Sequence, residues 1–235
     1  MTAPGGPDPA PNEPAERAIE VPRTARYYTV GDAASARAVW LALHGYGQLA
    51  GYFARHFAPH AAGRLVVAPE ALSRFYVARE AGGEPARVGA TWMTREDRLA
   101  EIADYVRYLD RALDAATEGL DLAAVPVGVL GFSQGAATAA RWVAHRHQNG
   151  LLVPGRLVLW GGGLPHDYDL AGADGDALRA TRVTVVVGER DEFATAAVVA
   201  EQERRLTEAG VAYELVRYGG GHRVDAAVLG RVLGG

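Results

Sequence analysis

The stretch Val125-Pro126-Val127-Gly128-Val129-Leu130-Gly131-Phe132-Ser133-Gln134-Gly135-Ala136-Ala137-Thr138-Ala139-Ala140-Arg141-Trp142 decides the fold class. Its first third, Val125–Leu130, is apolar and strand-like. Its last third is a strong helix former, with small residues that let a helix lie close to a sheet. Between them stands Gly-x-Ser-x-Gly, the pattern of a nucleophile elbow: a buried strand turns sharply into a helix and leaves a serine hydroxyl exposed at the turn. Glycine two residues before and two after Ser133 leaves room where a side chain would collide. The helix begins beside Ser133, so its free N–H groups and positive dipole end face any oxyanion formed there. Ser133 is one of only three serines, with Ser35 and Ser73, so the match is not a by-product of serine abundance.

Outward from the elbow, strand and helix signals alternate. Val21–Val30 predicts one or two edge strands. Ala38–Leu43 is a continuous apolar run suited to a strand buried on both faces. A short helix is predicted over Leu49–Phe57 and a strand over Arg64–Ala68. Residues 71–94 have no clear period and read as a loop. From Arg95 a helical stripe runs through Leu99, Ile102, Val106, Leu109 and Leu113, with Glu96 and Asp97 expected in its first turn. Downstream come a strand at Arg156–Trp160, a loop in which the aspartates of 167–176 read as turn formers, and a strand at Thr181–Val187. A helix at Ala194–Ala209 stopped by Gly210, a strand at Val211–Tyr218 and a last helix at Val224–Leu233 follow. This alternation predicts an α/β fold, a mostly parallel sheet with helices on both faces and ligand sites at the C-terminal strand ends.

Composition narrows the function classes. Met1–Ala18 is rich in Pro, Ala and Glu, has no apolar signal core, and is expected to be a disordered tail; residues 19–235 are expected to form one domain. The formal charge is −4, from 24 basic and 28 acidic residues, with no basic stripe, which argues against nucleic acid. No run reaches transmembrane length, so no stable membrane association is expected and a cytoplasmic location is the default. The chain has no cysteine, which excludes disulfides, cysteine zinc sites and a thiol nucleophile. His56 and His60 stand four apart, but Pro59 interrupts the helix between them and no third ligand is evident, so neither metal nor cofactor is expected.

A serine hydroxyl needs a base, and the base an orienting acid. Of the histidines after Ser133, His145 and His147 lie more than three helical turns away, and His166 follows a strand in a loop. His222, after Gly219-Gly220-Gly221 and before the final helix, fits best. The acid is expected after Thr181–Val187, where Gly188-Glu189-Arg190-Asp191-Glu192 offers Asp191 first, with Glu189 and Glu192 as rivals. Oxyanion donors are expected from the Gln134 N–H and from the loop His44-Gly45-Tyr46-Gly47-Gln48, with Tyr46 N–H as the second donor and His44 as a structural hydrogen-bonding residue. Phe75, Tyr76, Trp92, Met93, Trp160 and Leu164 are candidates for an acyl pocket, and each suits plain core equally well.

With these residues in view, the chain resembles the phospholipase/carboxylesterase family of α/β-hydrolases, which includes carboxylesterases, lysophospholipases and acyl-protein thioesterases. The resemblance rests on Leu43-His44-Gly45-Tyr46-Gly47, Ala68-Pro69-Glu70, Trp92 ahead of Glu96-Asp97, Gly131-Phe132-Ser133-Gln134-Gly135, Gly188-Glu189-Arg190-Asp191 and Gly221-His222, in the family's order across about residues 38–225. It implies an α/β-hydrolase fold with little or no cap domain, nucleophile Ser133, acid Asp191, base His222, and a small-molecule acyl ester as substrate. Proline often follows the acid in that family; here Glu192 stands there. Three functions follow as expectations: a carboxylesterase for short to medium acyl chains, a thioesterase or lysophospholipase for long ones, or a non-catalytic binding protein on the same scaffold.

Overall fold

The computed structural model describes residues 14–77 and 87–234. Among them, seven strands form one sheet in the order β1-β3-β2-β6-β7-β8-β9. These are β1 (Tyr27–Val30), β2 (Val39–Leu43), β3 (Leu65–Pro69), β6 (Val127–Phe132), β7 (Arg156–Trp160), β8 (Arg182–Gly188) and β9 (Tyr213–Tyr218). Only β1 runs antiparallel, at the edge. The chain is thus of the mostly parallel α/β class that the alternation predicts.

The helices are α1 (Ala50–Phe53), continued by 3₁₀ turns over Ala54–His60, then α2 (Arg98–Ala116), α3 (Gln134–Gln148), α4 (Ala173–Arg179), α5 (Ala196–Glu208) and α6 (Ala226–Gly234). Every residue of β2, β3 and β6 is buried, because helices cover both faces. One face packs α2, α3, α4 and α5 over Leu41, Leu43, Val129, Leu157 and Val185. The other packs α1, the 3₁₀ turns and α6 over Trp40, Phe132, Val158 and Trp160.

The strand order reverses between β2 and β6. From β2 the chain crosses to β3 on one side, then returns to place β6 on the other, with Leu43 beside Gly131. The loops leaving β2 and β6 therefore diverge, opening the crevice where open α/β sheets hold ligands. His44–Gln48 and Ser133 stand at that crevice.

Three local expectations are corrected. The 71–94 stretch is not wholly loop: β4 (Ser73–Tyr76) and β5 (Val88–Thr91) pair antiparallel as a separate ribbon, and residues 78–86 lie outside the described residues. Four-residue strands are too short to display a period. Glu96 and Asp97 precede α2; Asp97 is its left-handed N-cap (φ 47°), and the acid of the first turn is Glu101. In the same helix Leu99 faces solvent, while Tyr105, Val106, Leu109 and Leu113 are buried. Of the expected 1–18 tail, residues 1–13 also lie outside the described residues.

Glu70, at the end of β3, is a buried carboxylate held by Arg26 Nε (2.6 Å) and Arg74 Nε (2.7 Å). Burial pushes its pKa up, but the two guanidiniums outweigh this and hold it below the ordinary value of 4.5. With the folded pKa below the unfolded one, the stabilisation is present above about pH 4.5 and is lost as pH falls through the folded value. Glu70→Gln should therefore melt several degrees below wild type at pH 7, and the two melting curves should converge in acid. Parallel curves from pH 7 to pH 3 would refute the ion-pair account.

Candidate active site

Ser133 sits between β6 and α3 with φ 54° and ψ −118°, a left-handed backbone that a non-glycine residue adopts only at some cost, of order 1–3 kcal/mol. Its own N–H donates to Trp160 O (2.8 Å), tying the turn to the end of β7. The elbow's glycines are required by contact. A Cβ on Gly131 would strike the Gly135 carbonyl, and one on Gly135 would strike the Leu43 carbonyl. The strand-to-helix turn thus closes as the sequence pattern anticipates.

The loop expected to carry the acid, called the acid loop below, follows β8. Asp191 is 7% exposed, whereas Glu189 and Glu192 face solvent. Asp191 Oδ1 accepts the N–H groups of Phe193 and Ala194 (both 2.9 Å), and Oδ2 meets His222 Nδ1 at 2.8 Å. Burial pushes the carboxyl pKa up; the Ala194 N–H, the His222 ring and the Phe193 N–H together hold it below the ordinary 3.8. The bond fixes the His222 tautomer with Nδ1–H toward the acid and Nε2 free to act as a base. The loop carrying His222 is pinned to the acid loop, since Glu189 N–H donates to Tyr218 O (2.9 Å) and Arg190 N–H to Gly220 O (2.9 Å).

His222 lies between two phenylalanine rings: Phe132, the residue before Ser133 (centroids 4.8 Å), and Phe193 (4.7 Å). Gly161, with φ 57°, supplies the space for the pair; a Cβ there would sit 3.2 Å from Asp191 Oδ2 and from His222 Nδ1. A Cβ on Gly162 would strike the Ser133 carbonyl. The Gly161-Gly162-Gly163 run therefore does more than open a loop; sequence reasoning missed this, and its signal was the triple glycine itself.

On the β2 side, the Gln134 N–H opens α3 and so has no helical partner. The Tyr46 N–H, in the loop after β2, likewise makes no hydrogen bond to another described residue. That loop is shaped by Gly45 N–H donating to Gln48 Oε1 (2.8 Å) and by Gly47 N–H donating to Ala90 O (2.9 Å). A Cβ on Gly45 would lie 3.1 Å from Ser133 Cβ, which places the loop against the serine. His44 is fully buried and neutral: burial pulls its pKa down, Nδ1–H donates to Gly45 O (2.8 Å), and Nε2 accepts the Ala71 N–H (3.1 Å).

The Gln134 side chain has a part that sequence reasoning did not give it. Oε1 accepts the Trp92 N–H (3.1 Å), and Nε2 donates to Thr91 Oγ1 and Met93 O (both 2.9 Å), so the elbow is bolted to the end of β5. Of the acyl-pocket candidates, Trp160 is fully buried and Trp92 nearly so, its indole N–H donating to His44 O (2.8 Å). Neither presents surface to a ligand, because each completes a core. Leu164 is also buried, Tyr76 is 76% exposed, and Phe75 and Met93 are half-buried. His166 is exposed, and His145 bonds Asp110 across α2 and α3. Asp167 is not a turn former: it joins Arg98 and Arg141. Among the described residues no group of three or more side chains could hold a metal, and no helix is long and apolar enough to cross a membrane.

The family model described as serine hydrolase (FSH1) matches residues 35–227, which takes in the elbow, the acid loop and His222. The chain belongs to the FSH1 serine hydrolase family. Nothing among curated proteins matches it. This FSH1 member shares its fold with acyl-protein thioesterase 2 of Zea mays (18% identity, TM-score 0.66, 90% of this chain and 100% of that one). A carboxylesterase of Mesorhizobium loti (21%, 0.64, 90% and 95%) has the same fold. So does a phospholipase/carboxylesterase of Dyadobacter fermentans (17%, 0.58, 89% and 96%). The phospholipase/carboxylesterase likeness read from the sequence thus stands as a shared α/β-hydrolase-type fold, and the family membership is that of the FSH1 hydrolases.

Proposed function

We propose that this serine hydrolase is a carboxylesterase acting on short- to medium-chain carboxylic esters in the cytoplasm, with Ser133 as nucleophile, His222 as base and Asp191 as its orienting acid. The observation that carries the reading is the 2.8 Å Asp191–His222 bond beside a serine held at positive φ. In the proposed reaction His222 Nε2 takes the Ser133 proton as Oγ bonds to the ester carbonyl carbon. The Tyr46 and Gln134 N–H groups hold the resulting oxyanion, worth about 3–4 kcal/mol per donor. The tetrahedral intermediate collapses, the C–O bond to the alcohol breaks, and His222 returns the proton to the leaving oxygen. Water, deprotonated by His222, then attacks the acyl-serine and frees the acid and the serine hydroxyl.

The Zea mays fold neighbour supports a thioesterase as the second reading. A series of p-nitrophenyl esters from acetate to palmitate, run beside an acyl-thioester and a lysophospholipid, separates the two. The proposal expects kcat/KM to peak at short to medium chains. A maximum on the long thioester would replace it with the second reading, and silence on all substrates would favour a binding protein.

A further inference from the structure

Across the elbow from His222, two guanidiniums share a single carboxylate. Arg98 Nη2 meets Asp167 Oδ2 at 2.5 Å, and Arg141 Nη2 meets Asp167 Oδ1 at 2.9 Å. Beside Arg141, whose guanidinium it faces, the Tyr105 hydroxyl is buried, and no acceptor among the described residues takes its proton. The cluster is therefore rich in donors and short of acceptors, with a surplus positive charge. It stays open to solvent at one edge, where the Arg98 and Asp167 side chains are 27% and 37% exposed.

Its position ties it to the site. Positions 134, 138 and 141 share one face of α3. Arg141 lies about 12 Å down the axis from Ser133, and helical side chains lean back toward the N-terminus. Arg141 Nη1 reaches Met93 Sδ (3.5 Å), and the Met93 carbonyl holds Gln134 Nε2. Asp167 belongs to the same loop as Gly162, which abuts the Ser133 carbonyl. The cluster thus spans the 91–94 and 161–168 segments that border the elbow, on the face covered by α2 and α3. His222 approaches from the α6 face, packed on Phe132. Because His222 must protonate the departing alcohol, the alcohol leaves on its side and the acyl part extends toward the opposite face.

Resting on the esterase reading above, we propose that Arg98, Arg141 and the Tyr105 hydroxyl bind a free carboxylate at the far end of the acyl group, so that the preferred substrates are half-esters of dicarboxylic acids. The incoming carboxylate takes the acceptor place that Asp167 fills only in part, and Asp167 itself weakens that binding by like-charge repulsion.

The test compares monoethyl succinate, glutarate and adipate with the neutral ethyl esters of the same acyl lengths, measuring released ethanol. For at least one length the half-ester should be favoured ten- to a hundredfold in kcat/KM, chiefly through KM, as expected for charge-assisted hydrogen bonds. Arg98→Gln should cut that ratio at least tenfold. Asp167→Asn, which removes the competing carboxylate, should raise it, a gain that misfolding cannot mimic. A ratio at or below one in wild type, with neutral esters turned over, overturns the carboxylate site and leaves the esterase standing. A preference unchanged in Arg98→Gln overturns the assignment of residues. Failure on both ester classes, together with no fluorophosphonate labelling of Ser133, brings down the esterase reading and this one with it.

Discussion

Ser133→Ala is expected to lower kcat on any ester the wild type cleaves by about 10⁴-fold or more, leaving only the residual turnover that binding and the oxyanion donors provide. Alanine keeps the Cβ and removes only Oγ, so the turn, with its glycine contacts and its Ser133 N–H to Trp160 O bond, should persist. A melting temperature within a few degrees of wild type would show this. Loss of fluorophosphonate labelling should accompany loss of turnover. A variant that folds, labels and turns over within tenfold of wild type would remove Ser133 from the mechanism.

The second large effect is at the proposed acid. Asp191→Asn is expected to lower kcat by about 10⁴-fold, because an amide at that place favours the wrong tautomer of the base. Glu192→Gln should change kcat little, since Glu192 is exposed while Asp191 Oδ2 is the atom bonded to His222 Nδ1. The wild-type carboxyl, held below its ordinary pKa, stays ionised across the working range, so the loss in Asp191→Asn should persist from pH 6 to pH 9. Equal losses in the two variants would move the acid's role to the loop as a whole.

The contrast between these two carboxylates shows where sequence reading stops. Three carboxylates within four residues differ little as letters; they differ in which one turns inward. Asp191 turns in because its short side chain caps the Phe193 and Ala194 N–H groups with one oxygen and leaves the other for the imidazole. The strands are legible for a simpler reason: buried parallel strands are continuous apolar runs, so the expected bounds of Arg156–Trp160 are the observed ones. The elbow was legible because its glycines are demanded by backbone contacts that no other residue permits. The ribbon of β4 and β5 was not legible, since each strand offers only four residues. Trp92 and Trp160 were ambiguous between core and pocket because hydrophobicity alone does not say which face of a sheet a ring completes. Asp167 looked like a loop residue because its two arginine partners lie 69 and 26 positions away.

The seating of His222 on Asp191 has a kinetic corollary. With Nδ1 bonded to Asp191 Oδ2, Nε2 is the nitrogen left for both steps, so the proposed mechanism has one doorway: the spent alcohol goes out and the water comes in past the same nitrogen. The two steps are then mutually exclusive, and any added alcohol queues at that doorway as a rival to water. Acyl transfer to alcohols becomes a built-in side reaction of such a site, its share set by competition for a single threshold.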